Sequence, residues 1–110
     1  MAVKHMSVLS SADRTKVHRD TSEARILEFV TESYRQWRKA RWQGIKQREP
    51  RITATYIAEV LDVSERLKPL YVVSIQNKLT ALVRKGLLET SLGEGLNGRE
   101  TRLYNPKDEK

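Results

Sequence analysis

The residues with the most to offer chemically lie between Leu67 and Leu88. This stretch holds no acidic residue and carries Lys68, Lys78, Arg84 and Lys85. Ser74, Gln76, Asn77, Lys78 and Thr80 sit beside its apolar positions. Their hydroxyl, amide and ammonium groups supply the donors and acceptors that base edges require. The same residues also suit an ordinary polar face on a packed helix. A second set, Asn97, Arg99 and Arg102, lies at or beside the segment Gly93-Glu-Gly-Leu-Asn-Gly98. That segment is no phosphate loop, because no Lys-Ser/Thr pair and no helix follow it. A third set, Lys46, Arg48 and Arg51, offers mostly charge, which suits phosphates.

The placement of charge says more than its sum. The net charge is +7 over 110 residues. Residues 1–34 are neutral. Residues 35–51 carry Arg35, Arg38, Lys39, Arg41, Lys46, Arg48 and Arg51 against Glu49 alone, which leaves +6 in one short segment. Such a field attracts polyanions by counterion release, although a basic run is as often a solvated helix face. Trp37 and Trp42 interleave with these cations. Trp37 continues an apolar stripe and reads as core. Trp42 fits the stripe less well and suits a dimer contact, an arginine stack or a single-stranded base.

Other chemistries find little support. With no cysteine there is no disulfide, thiolate nucleophile or cysteine-based metal site. His5 and His18 lack an acid–base constellation, and the acidic residues lack metal-site spacing. We therefore expect no enzyme activity, no cofactor and no metal. The apolar runs are too short to span a membrane, and residues 1–10 lack the apolar stretch of a signal peptide. These features suggest a cytoplasmic protein.

The elements that must position these residues follow from periodicity and punctuation. Residues 1–20 show no clear period and read as a flexible arm, with room for a short helix. A first helix should begin near Asp20–Ser22, which supplies caps. Ile26, Leu27, Val30, Tyr34 and Trp37 share one face of it, and Gly44 ends or loosens it. Ile52 suits a very short strand. Thr53 should cap a second helix from Ala54 to Leu61, with Ile57, Ala58 and Leu61 inward. A third helix should run from Pro69 to Lys85, buried through Val72, Ile75, Leu79 and Leu82, with Gly86 as its cap. Strands over Leu87–Leu92 and Glu100–Tyr104 should form a hairpin around the glycine-rich turn. The expected buried set also includes Leu103. The fold class is mainly α with a small β-hairpin: an arm over 1–20, a domain over 21–105 and a charged tail over 106–110.

The order helix, helix, helix, hairpin resembles the winged helix-turn-helix family. The resemblance is carried by Ile52-Thr-Ala-Thr-Tyr-Ile-Ala-Glu-Val-Leu-Asp-Val-Ser64 and Ser74-Ile-Gln-Asn-Lys-Leu-Thr-Ala-Leu-Val-Arg-Lys-Gly-Leu-Leu88. It covers roughly residues 22–105. Ala58 is the small residue that lets the second and third helices approach. One departure is the long stretch Glu65–Val73 before the matching segment, which implies either a longer recognition helix or an extra loop in the turn.

The resemblance implies a non-catalytic, sequence-specific binder of double-stranded DNA, a transcriptional regulator acting as a homodimer. The small size of the chain and the aromatic-rich first helix, with Phe29, Tyr34, Trp37 and Trp42, suggest that this helix supplies much of the dimer contact. Ser74, Gln76, Asn77 and Lys78 would read bases in the major groove. Lys46, Arg48, Arg51, Asn97, Arg99 and Arg102 would hold phosphates or the flanking groove. Two other classes stay open: a protein-docking winged helix in a nucleic-acid-processing assembly, and a single-strand or RNA binder using the tryptophan-bearing basic segment.

Overall fold

A computed structural model describes residues 11–94 and 99–107. The described residues form four helices followed by a two-stranded antiparallel hairpin: α1 (Ser11–Asp20), α2 (Glu23–Trp42), α3 (Ala54–Val60), α4 (Lys68–Arg84), β1 (Leu88–Glu94) and β2 (Glu100–Pro106). The three helices expected from periodicity are α2, α3 and α4.

Each of these three has an identifiable start or stop. Ser22 caps α2 by accepting from the Arg25 amide at 3.3 Å, and Thr53 caps α3 by accepting from the Tyr56 amide at 3.0 Å. Pro69 occupies the first turn of α4, where its missing N–H costs no helical bond. At the far ends, α2 and α4 close in the same way. Gly44 (φ 82°) and Gly86 (φ 78°) adopt the left-handed conformation. The next residues, Ile45 and Leu87, then bond back to the carbonyls of Ala40 and Leu82. After α3 the left-handed position falls to Asp62 (φ 56°), one of the few non-glycine types that tolerate it.

The core lies where α2, α3, α4 and the inner face of the hairpin meet. Ile26, Val30 and Tyr34 from α2 pack with Ile57 and Ala58 from α3. Tyr71, Ile75, Leu79 and Leu82 form the buried stripe of α4, with Leu88 and Tyr104 from the hairpin beneath it. β1 and β2 pair in a register that sets Thr90 opposite Tyr104 and Leu92 opposite Arg102. Ile52 is fully buried, and its carbonyl accepts the Tyr104 amide at 3.1 Å. This bond anchors the entry to α3 on the edge of the hairpin.

Several expectations need adjustment. Residues 11–20, expected as arm, are the helix α1, which packs on α4 through Val17. One apolar anchor leaves no helical stripe for a sequence reading to detect, and its polar partners lie more than 50 residues away. Residues 1–10 fall outside the described residues. Leu61, expected inside, is 38% exposed because α3 stops at Val60 and the chain turns outward at Asp62. Leu27 and Leu103 are only half-buried. Tyr71, rather than Val72, takes the buried position on α4. The strands are offset slightly, and β2 extends through Pro106 into the expected tail. The long turn before α4 is taken up by the helix, which begins at Lys68 with its first amide bonded to the Ser64 carbonyl.

Candidate functional site

The outward face of α4 is set by its buried one. With Tyr71, Ile75, Leu79 and Leu82 inward, the exposed residues are Pro69, Val73, Asn77, Thr80 and Arg84. Their spacing of four, four, three and four aligns them along one stripe. The stripe contains no acidic side chain. It offers an amide, a hydroxyl, a guanidinium and the side chain of Val73, which is 60% exposed.

Of the four residues expected to read bases, Asn77 alone lies on this stripe. Gln76 donates to the Tyr104 hydroxyl at 2.7 Å and so ties α4 to β2. Lys78 is half-buried on the flank. Ser74 faces α1 and lies 2.6 Å from the buried Thr21 hydroxyl. Thr21 has one hydroxyl proton and places it on the Val17 carbonyl at 2.7 Å. Ser74 is therefore the donor between the two hydroxyls, and its proton is committed inside the fold. Thr80 and Arg84 complete the stripe that the base-reading set left out. The signal was present in the helical period. Burial of Tyr71 rather than Val72 rotates the outward face of the helix away from Ser74.

Polar contacts hold α1 against the flank of α4. The Tyr71 hydroxyl donates to the Asp20 carboxylate at 2.7 Å, and Lys16 donates to both, at 3.0 Å to Asp20 and 3.4 Å to Tyr71. The bond from Tyr71, then that from Lys16, holds the Asp20 carboxyl below the usual aspartate range. Burial, followed by the bond to Asp20, pushes the Tyr71 phenol up. Hydrogen bonds to Asp20 and then Tyr71 raise Lys16. Arg66 meets Asp13 at 3.4 Å, and beyond α1 Lys85 meets Glu23 at 2.5 Å.

The expected phosphate-holding set divides between two faces of the hairpin. Arg102 is exposed and shares the face of Tyr104, the side toward Gln76 and α4, because alternate residues of a strand point the same way. Arg48 and Arg51 line a cleft with Tyr34, Ser91, Leu103 and Glu94. Ser91 and Leu103 are cross-strand partners on the other face. Tyr34 anchors this loop, its single hydroxyl proton shared between the Glu49 carboxylate at 3.1 Å and the Pro50 carbonyl at 3.3 Å, and Trp37 donates to the Gln47 carbonyl at 3.2 Å. Lys46 and Arg99 are exposed. Asn97 lies outside the described residues.

Comparison with protein-family models, curated proteins and solved structures finds no match to this chain. The side chains themselves therefore carry the functional reading.

The aromatic residues of α2 differ in what they do. Phe29 meets Tyr56 edge-on at 6.2 Å, and Tyr34 meets Trp37 edge-on at 5.8 Å. The Arg41 guanidinium lies over the Trp37 ring at 5.0 Å. Trp42, by contrast, is 82% exposed. Among the described residues no group of His, Asp and Glu side chains is placed to hold a metal ion, and no helix is long and apolar enough to cross a membrane.

Proposed function

We propose that this chain is a winged helix-turn-helix protein that binds double-stranded DNA, with α4 entering the major groove and the β1–β2 hairpin serving as the wing. The element order supports the reading: α2, the short extended residue Ile52 bonded to β2, then α3, α4 and the hairpin. The observation that carries it is the acid-free outward stripe of α4, with Arg102 exposed on the hairpin face that turns toward α4. A helix of this kind fits a groove about 12 Å wide. Asn77 can bond an adenine edge, Val73 can pack on a thymine methyl, and Arg84 and Arg102 can hold backbone or guanine. Arg48 and Arg51 extend the positive field from the far face of the hairpin. The protein acts without catalysis, as a regulator that recognises its site as a homodimer.

Selection of bound duplexes from a random pool at two salt concentrations tests this. A recovered motif that survives the higher salt supports base reading, and uniform loss of all sequences leaves only charge-driven association. One observation favours a second reading, a protein-docking module: Val73 stands exposed on the stripe, one turn from Asn77. That reading gains if alanine at Asn77, Arg84 and Arg102 leaves duplex affinity unchanged.

A further inference from the structure

We propose a second nucleic-acid site at the C-terminal end of α2, where Trp42 stacks on an unpaired base and neighbouring cations hold the adjoining phosphates of a single strand. The site stands apart from the duplex reading of α4. Trp42 lies nineteen residues beyond Glu23, the α2 residue that bridges to the end of α4. That separation is about 28 Å along the helix axis.

The ring is exposed on a rigid support. The Gly44 cap closes α2 with the Ile45 amide bonded to the Ala40 carbonyl at 2.8 Å, so the last helical turn is fixed. Trp37, one and a half turns earlier, is already engaged by Tyr34, Arg41 and Gln47. Trp42 is 82% exposed. The chain on either side of it is free of negative charge: from Ser33 to Arg48 there is no acidic residue. Lys39 lies one turn back on the same side of the helix, and Lys46 follows the cap; both are exposed.

This geometry favours a base over a peptide side chain. An aromatic hot spot for a protein partner sits in a desolvated pocket ringed by other contacts. Here an open flat face stands among cations, which is what sequence-tolerant stacking on a polyanion requires. Duplex DNA offers stacked bases only at its ends, so the strand must be unpaired.

The test titrates the full chain with a short oligothymidylate, a duplex and polyglutamate, following tryptophan fluorescence and the anisotropy of labelled ligand. Oligothymidylate is expected to quench fluorescence. Trp42→Ala is expected to weaken oligothymidylate binding roughly 5- to 150-fold while sparing duplex affinity. Trp42→Phe should retain most of the affinity, and Lys39→Ala should flatten the salt dependence by about one phosphate's worth. Far-UV circular dichroism checks that the variants are folded. Three results overturn the proposal: unchanged oligothymidylate binding in Trp42→Ala, an equal loss for duplex, or Trp42-dependent binding of polyglutamate as tight as that of the strand, which would assign the ring to an acidic protein partner. If alanine at Asn77 and Arg84 leaves duplex binding intact while the Trp42 effect persists, the duplex reading fails and the single-strand site stands.

Discussion

Asn77 and Ser74 lie three residues apart on one helix and have different work to do. Asn77 is exposed on the acid-free stripe, whereas Ser74 donates to a hydroxyl beneath α1. Asn77→Ala is therefore expected to weaken binding to a preferred duplex more than to a random one, by about 1–3 kcal/mol if its contact is bidentate. Paired titrations of the two duplexes measure that difference. Ser74→Ala should leave the ratio between them intact and lower folding stability by about 1 kcal/mol, because it leaves the Thr21 oxygen short of a donor. A changed ratio in Ser74→Ala would restore Ser74 to the base-reading set. Arg48→Ala should weaken both duplexes alike and reduce the salt slope by about one phosphate's worth.

At the scale of elements, α1 is the part whose place depends most on ionisation. The folded Asp20 carboxyl titrates below its unfolded counterpart. As pH falls, the unfolded chain takes up the proton first. The contribution is complete above the ordinary aspartate range and is lost as pH falls through and below it. Lys16 and Tyr71 titrate above their ordinary values, so their contributions are complete at neutral pH and are lost toward the alkaline end. Thermal stability should thus be flat near neutrality and fall at both extremes. Asp20→Asn should lower the neutral plateau and shrink the acid limb, which melting curves across pH would reveal. The α3–α4 turn has a different vulnerability. Asp62 holds a left-handed backbone angle, so Asp62→Val should destabilise by about 1–2 kcal/mol, while Asp62→Gly should fold at least as stably in denaturant titration.

For the whole molecule, charge and exposed apolar surface set the expected associations. Most of the net charge belongs to the end of α2 and the loop after it, while α4 contributes directional hydrogen-bonding groups. Affinity should therefore depend steeply on salt, with selectivity carried by α4. Tyr34 and Trp37 are engaged within the chain, so a dimer contact through α2, expected from Phe29, Tyr34, Trp37 and Trp42, would draw on the face that carries Phe29. A shallow groove between α2 and α3 has Phe29 and the exposed Leu61 on its walls, rimmed by Arg25, Glu28, Glu32 and Gln36. Sedimentation at high micromolar concentration should show a dimer that Leu61→Glu dissociates. Monomer alone, with and without duplex, would remove the homodimer from the proposed function.

Local chemistry made much of this protein legible before folding was considered. Ser22 and Thr53 are caps, Gly44 and Gly86 are stops, and the stripes Ile26–Val30–Tyr34 and Ile75–Leu79–Leu82 announce their helices, because caps, left-handed angles and the 3.6-residue period act within a few residues of sequence. The glycine-rich turn likewise announced the hairpin. Contacts between residues far apart in sequence decided the rest. Val17 and the Lys16–Asp20–Tyr71 cluster turned an expected arm into α1. Burial of Tyr71 rotated α4 so that Thr80 and Arg84 joined Asn77 outside while Ser74 turned in. The Tyr104 hydroxyl claimed Gln76, and strand alternation set Arg102 on the face of the hairpin opposite Leu103, the residue beside which Arg48 lies. A side chain's type is written in the sequence, but which way it points depends on the partner that packs against it, and for these residues that partner lies about 30 or more residues away.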